Sequence, residues 1–434
     1  MVQHTPNTAT KPRVFSKLRM AHFMLLASCM NTSRIIATPQ VWLEGEAVRQ
    51  LEQTAQLADC VAAVGMPDLH PGPTYPIGAA FGFSQTIHPR LVGSDAGCGA
   101  LVVVLDKVKF SANVERRLEQ QFNGAPPSVA GHEHAPEQLV HAVWHHGVKG
   151  LLQFDVPATV AALVNLITDA GDVSPSVPPQ LCPYVGFANA LGTVGGGNHF
   201  AEIGRVCDVF DRPAAERMRL NKDQLVLLCH SGSRGLGKAV ADTWSQEVLH
   251  QNNAAGYLAD LAGAVRFAQA NRIFLAWRLL EALGVHRTSS IGFAFDVVHN
   301  CVNRELVATT PMWVHRKGCA PAHQGQSTVV LGSRGTRSWI MTGTGNPDGL
   351  SSVAHGAGRK MMRSLARANL RARYHRDQLI KTRCGSKVIC DDSNLLYEEH
   401  PDAYKPIEPV IDSLEQAGLA TKVAAVMPLL TVKK

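Results

Sequence analysis

The chain has 434 residues, 45% hydrophobic and 18% charged, which is apolar enough for a substantial core and excludes a disordered or fibrous protein. Forty-two Lys and Arg against 35 Asp and Glu give a net charge of +7, pointing to a polyanionic partner. Ten cysteines without a Cys-x-x-Cys pair fit a reducing cytosol, and no apolar run approaches the ~18 residues of a membrane span, so a cytoplasmic protein with no membrane partner is expected.

Residues 1–37 lack a sustained period. Lys11, Arg13, Lys17 and Arg19 precede a short apolar stretch, but no Ala-x-Ala cleavage site follows. This stretch is expected to be a poorly ordered or misassigned N-terminal extension, with Met20, Met24 and Met30 as alternative starts, and the domain proper to run over 38–434. Trp42, Val48, Leu51, Ala55 and Ala58 have helical spacing. Short apolar runs at 61–64, 77–83 and 101–105 alternate with Gly/Pro/Asp loops and predict strands. The His-rich stretch 109–190 has no clear period. Beyond it the pattern predicts strands at 225–229 and 291–298 around a helical stretch at 235–283. Strands at 328–331 and 338–342 flank a glycine loop, and a basic helix follows at 358–374.

Residues able to hold a metal stand at the ends of these apolar segments: Asp68 and His70, Asp95 and Cys98, His199, His230, His299 and His355. The turn Gly93-Ser-Asp-Ala-Gly-Cys-Gly99 can aim a carboxylate and a thiolate at one point. His199 follows three glycines, and His230 and His299 each end a predicted strand. Asp95 and Cys98 with three imidazoles exceed what one tetrahedral ion with an open position needs, so two ions sharing a thiolate fit better; the alternative is a set of unrelated loop turns.

Gly232-Ser-Arg-Gly-Leu-Gly-Lys238 imitates a P-loop, but Ala239 stands where a Ser or Thr should hold Mg²⁺, and the Walker-B-like strand at 101–106 precedes the loop. The loops Gly332-Ser-Arg-Gly-Thr336 and His355-Gly-Ala-Gly-Arg359 are candidate phosphate cradles. With His355 at the mouth of the predicted helix, an imidazole nucleophile attacking phosphorus is one reading, and a helix cap or core hydrogen bond the other. From His355 to Lys387 there are ten Lys or Arg residues and one acid, Asp377, which favours a nucleic-acid backbone track over a solvated face.

These motifs resemble the RtcB RNA ligases. Met66-Pro-Asp-Leu-His-Pro-Gly72, Asp95-Ala-Gly-Cys-Gly99, Gly195-Gly-Gly-Asn-His-Phe-Ala-Glu202, His230-Ser-Gly-Ser-Arg-Gly235, Val298-His-Asn300, His315-Arg-Lys-Gly318, Gly332-Ser-Arg-Gly-Thr336 and His355-Gly-Ala-Gly-Arg359 occur in the order and style of that family. Trp42-Leu-Glu-Gly-Glu-Ala47 and Pro71-Gly-Pro-Thr-Tyr-Pro76 resemble the branch associated with release factor H.

The resemblance implies an α+β fold: one large domain of mixed and antiparallel sheets flanked by helices around a central metal-binding cleft. It implies a GTP-dependent ligase using two Mn²⁺ ions, joining RNA 3′-phosphate or 2′,3′-cyclic phosphate ends to 5′-hydroxyl ends in RNA repair. His355 would carry a guanylyl intermediate, and Asp95, Cys98, His199, His230 and His299 would hold metal, with Cys98 bridging. Nucleotide contacts would fall at Asn198, Glu202, Asn300, Ser333, Ser338, Gly356, Gly358, Tyr404 and Lys433. A dinuclear RNA phosphoesterase and an inactive RNA-binding relative are the rival expectations. Arg334 for the usual Met, Val353-Ala354 before the nucleophile, Trp339 for Tyr, and a terminal Lys434 depart from the family pattern.

Overall fold

The strand Gly99–Leu105 shows how the molecule is layered. Leu101, Val103 and Leu105 join one apolar cluster and Ala100, Val102 and Val104 another, so the strand is buried on both faces, which is why its sequence is continuously apolar. The computed structural model describes residues 33–123, 137–167, 177–181, 187–245 and 248–434. Much of the expected N-terminal extension, residues 1–32, therefore lies outside the described residues. Within the remainder, Ser33–Ile35 forms a strand parallel to Cys60–His70.

Gly99–Leu105 lies in an eight-stranded sheet with the main order Ser327–Val330, Ser338–Gly343, Ala420–Val432, Phe200–Val209, Leu225–Ser231, Gly99–Leu105, Ile291–Val298, antiparallel throughout. Lys387–Ile389 adds a short parallel edge to Ala420–Val432. A five-stranded sheet has the order Ser33–Ile35, Cys60–His70, Ile77–Phe83, Thr310–Lys317, Asn300–Val307. Both apolar clusters draw on both sheets, and the first also takes in the long helix Ala255–Leu283 and the short helices around it. Each fully buried Val or Leu in these layers contributes ~1.5–3 kcal/mol. The fold is α+β, with helices on mixed, mainly antiparallel sheets.

The predicted strands at 225–229, 291–298, 328–331 and 338–342 are present, and the helix expected at 42–58 occupies Gly45–Ala55. The helical stretch at 235–283 is two helices, Gly235–Trp244 and Ala255–Leu283. Between them Leu249–His250 pairs with Thr86–Ile87, and Gln251-Asn-Asn253 supplies the turn. Ala255–Leu283 is buried around nearly its whole circumference and ends at Gly284 in the left-handed region. Short helices Val114–Asn123, Glu137–His146 and Ala158–Leu166 fall in the stretch without a readable period and pack against it.

The basic helix expected at 358–374 is confined to Arg363–Arg371. Gly358 has φ +74°, and a Cβ there would meet the Asp68 carbonyl oxygen at 2.3 Å, so the chain turns instead of starting a helix. Arg359 then bridges Tyr404, while Lys360 N–H donates to Ala403 O. His355 consequently follows the strand Ser352–Ala354 and does not stand at a helix mouth.

Candidate metal centre and nucleotide cleft

Antiparallel register brings the expected donors to one end of the large sheet. Cys98 immediately precedes Gly99–Leu105, His199 precedes Phe200–Val209, His230 is the penultimate residue of Leu225–Ser231, and His299 follows Ile291–Val298. Because neighbouring strands run in opposite senses, starts and ends alternate at this edge: Phe200 faces His230, His230 faces Ala100, and Gly99 faces Val298.

The Cys98 Sγ lies 3.2 Å from His199 Nε2, 3.4 Å from His230 Nε2 and 3.2 Å from His299 Nε2. His199 Nε2 is also 3.1 Å from Asp95 Oδ2, and Cys98 N–H donates to Asp95 O across the turn. The donors fall into two groups that share Cys98, one with His230 and His299 and the other with Asp95 and His199, each with its donor atoms within 4.8 Å of one another.

Burial drives His230 and His299 well below the ordinary imidazole range, leaving neutral rings with lone pairs to offer. Burial also pushes the Cys98 thiol well up, and Asp95 pushes it further. At Asp95 burial acts to raise the carboxyl, but the adjacent His199 outweighs it and holds the group well below the carboxylate range. Three imidazoles, a carboxylate and a thiol packed this closely match the chemistry of a divalent-cation site, since a cation would ionise the thiol that burial keeps protonated.

His355 stands beside this cluster. Its ring centroid is 4.8 Å from that of His299 and 6.5 Å from that of His230. Its Nδ1 is 2.7 Å from Oδ2 of Asp68, a fully buried carboxylate at the end of Cys60–His70. A carboxylate accepting at Nδ1 fixes the proton there and leaves Nε2 with its lone pair free. The sequence had placed Asp68 among the metal-capable residues, whereas the fold gives it to His355. His70, whose Nδ1 lies 2.8 Å from Asp68 O, is pushed down to about 4 by burial and lines the cleft.

The cleft beside His355 measures about 950 Å³ and is lined by Cys98, His230 and His299 together with Asn198, Ser333, Gly356, Gly358, Tyr404 and Lys433. Lys433 Nζ donates to His199 O at 2.9 Å, so the chain end braces the donor cluster from this side. Glu202 is buried behind the lining; it accepts from Thr431 Oγ1 at 2.5 Å, and burial raises its carboxyl to about 8.

Several expected nucleotide contacts also brace the protein itself: the Tyr404 hydroxyl donates to Glu399 and accepts from Arg359, and Asn300 and Ser338 hold turns in place. Asn300 lines the cleft, but its carboxamide donates to Asp95 O and accepts from Gly318 N–H, bracing the Asp95 turn. Ser338 is buried and its Oγ accepts from Gly332 N–H, shaping the glycine loop from beneath. Arg334 is 5% exposed and lines the cleft, with Nη2 donating to Leu396 O at 2.9 Å. The Walker-like Lys238 pairs with Asp242 on its own helix, and Ser233 Oγ donates to Ala96 O, so this loop packs against the Asp95 turn. Arg234 within it has φ +59° and sits over Gly195, a strained position of the kind found beside functional sites.

A donor cluster at one sheet edge, a carboxylate-held imidazole beside it and a cleft of about 950 Å³ define a protein with a candidate metal centre opening onto a large cleft. Comparison with known proteins is consistent with this class: a family model described as tRNA-splicing ligase RtcB matches residues 50–434, and the chain belongs to the RtcB family. RNA-splicing ligase RtcB2 of Escherichia coli is 35% identical over 407 residues, covering 92% of this chain and 94% of that protein. The tRNA-splicing ligase RtcB of Methanococcus maripaludis is 27% identical over 464 residues, with 93% and 95% covered. RNA-splicing ligase RtcB of Mycobacterium tuberculosis is 28% identical over 429 residues, with 86% and 96% covered.

Proposed function

We propose that this protein is a GTP- and Mn²⁺-dependent RNA ligase that joins 3′-phosphate or 2′,3′-cyclic phosphate ends to 5′-hydroxyl ends, acting in the cytoplasm in RNA repair and functionally linked to release factor H. The observation that carries the reading is the His355 ring, held through Nδ1 by Asp68 and 4.8 Å from the ring of His299 in the donor cluster. In this reading Asp95, Cys98, His199, His230 and His299 hold two Mn²⁺ ions, with Cys98 shared. Held by these residues, Mn²⁺ would supply positive charge against the charge that develops on the phosphates.

The chain's own residues then have distinct tasks. Asp68 keeps the His355 proton on Nδ1, so that Nε2 attacks the α-phosphorus of GTP; the P–O bond to pyrophosphate breaks and guanylyl-histidine forms. A cyclic end is first opened by water to the 3′-phosphate; an oxygen of that phosphate takes GMP as the P–N bond to His355 breaks, and the 5′-hydroxyl oxygen then bonds to the 3′-phosphorus as GMP leaves. Asn198, Ser333, Gly356, Gly358, Tyr404 and Lys433 line the nucleotide site. Glu202 as carboxylate accepts from guanine N1–H and N2–H₂, a pair adenine lacks. Asn300 and Ser338 act on this site through the Asp95 turn and the Gly332 loop. Arg363, Arg367 and Arg371, with the rest of the exposed basic segment, meet the RNA backbone, while Arg359 is held internally by Glu399 and the Glu398 carbonyl.

Incubation of Mn²⁺-loaded protein with GTP and an RNA pair carrying 3′-phosphate and 5′-hydroxyl ends tests the proposal. Sealed product that requires GTP supports it. Opening of cyclic phosphate ends without GTP and without sealing points to a phosphoesterase, and RNA binding with neither reaction to an inactive relative.

A further inference from the structure

Behind the donor cluster, on the side away from the cleft, the long helix Ala255–Leu283 presents a buried guanidinium to the sheet. Arg272 and Asp296 have side chains only 0% and 1% exposed. Nε and Nη2 of Arg272 donate to the two Asp296 carboxylate oxygens at 2.6 and 2.7 Å. Nη1 donates to Gly97 O at 2.9 Å and to Ser231 O at 2.7 Å. Gly97 is the residue before Cys98, Ser231 the residue after His230, and Asp296 stands on the strand that ends just before His299. One side chain therefore ties together the three backbone segments that carry Cys98, His230 and His299. The contact needs close approach: Gly97 has φ +75°, and a Cβ there would meet the Val265 Cα at 2.8 Å.

The neighbouring Asn271 extends the tie to the segment leading into His199. Its side-chain oxygen accepts from Thr193 N–H, and its amide donates to Thr193 O, Ser231 Oγ and Gly232 O. A buried ion pair is an expensive way to join a helix to a sheet, since apolar side chains of similar volume do so at least as stably. What the pair supplies that apolar residues would not is directional, bidentate fixation of three chain ends.

We propose that Arg272, through Asp296, is a positioning residue for the metal centre: it sets the mutual placement of Cys98, His230 and His299 and thereby the affinity and geometry of cation binding. The inference rests on the assignment of those residues as ligands, but it does not depend on GTP or RNA chemistry.

The test compares the full-length parent with the charge-free double variant Arg272→Met, Asp296→Leu and with the single variant Arg272→Lys. Three quantities are measured: Mn²⁺ affinity by paramagnetic resonance titration, the thiolate and d–d absorption of the Co²⁺-loaded protein, and the melting temperature without metal. The double variant is expected to melt near the parent yet bind Mn²⁺ about 10–100-fold more weakly, with altered Co²⁺ bands. Arg272→Lys keeps the charge but cannot reach the carboxylate and both carbonyls together, so its Mn²⁺ affinity falls too, which keeps the test decisive should the double variant not fold. Parent-like Mn²⁺ affinity and Co²⁺ bands in whichever of the two variants fold would overturn the proposal. A parent that binds neither ion would overturn the ligand assignment instead.

Discussion

The two sides of the donor cluster follow opposite rules. Behind it, the Arg272 guanidinium is matched to the Asp296 carboxylate and to the backbone carbonyls of Gly97 and Ser231. Ahead of it, Asp68 Oδ1, His199 Nδ1, and Nε and Nη1 of Arg334 are buried without a hydrogen-bond partner among the described residues. Unmatched buried polar atoms are costly and are tolerated chiefly where function uses them. Immediately around the donors, the helix side fixes the chain ends and the cleft side leaves valences open, although the same helix carries unmatched Trp277 Nε1 and Arg278 Nε farther along.

The largest effect should come from breaking the one residue common to both donor groups. Cys98→Ser is expected to lose Mn²⁺ binding at both positions and reduce sealing to background, because an alcohol does not ionise near pH 7 as a metal-bound thiol does. Unchanged Mn²⁺ stoichiometry, measured on the dialysed protein, would contradict the shared role. Next in size, Asp68→Asn should slow GMP transfer to the protein by about 10²–10⁴-fold by favouring the wrong imidazole tautomer, while Mn²⁺ affinity stays close to that of the parent. A parallel loss of metal affinity would erase the division between front and back. Arg272→Met alone sharpens the comparison from the other side, since it strands Asp296 and should destabilise the fold by about 3–5 kcal/mol in urea titration.

Glu202 gives a smaller effect whose sign is set by pH. Its folded-state pKa of about 8 lies above the ordinary 4.5, so the folded protein holds a proton the unfolded chain has released, and this group costs stability as pH rises through that window. Glu202→Gln removes the cost; its melting temperature should gain on the parent more at about pH 8 than at about pH 5, while its preference for GTP over ATP falls. A gain that does not change with pH would argue that Glu202 is already ionised at its buried position behind the lining. The smallest effect is expected on the rim: Arg367→Ala and Arg371→Ala together should weaken RNA binding few-fold and flatten its salt dependence, leaving GMP transfer to the protein unchanged.

Much of the front was legible from residue types. Asp95, Cys98, His199, His230 and His299 stood out because each lies where an apolar run meets a glycine-rich or polar turn, and the antiparallel register converts those run ends into one edge. The back was not. Arg272 and Asn271 lie in a helix buried around nearly its whole circumference, and only tertiary packing shows which polar residues within it face the sheet. Asp68 stands out for its chemistry but not for its partner, because a separation of 287 positions from His355 hides the pairing. The basic helix was read too long because charge density does not reveal the left-handed turn at Gly358 or the bridge to Tyr404. The strand Ala420–Val432 escaped notice although it is central to the large sheet: Pro428 interrupts its pattern, and the structure accommodates it at a register shift.

The central claim is that His355 is the residue that becomes joined to the nucleotide. Peptide mapping of Mn²⁺-loaded protein after exposure to α-labelled GTP addresses it directly. The account predicts an acid-labile GMP adduct on the peptide containing His355, absent from His355→Ala. An adduct on another residue, an adduct that persists in that variant, or none on fully metal-loaded protein would contradict it.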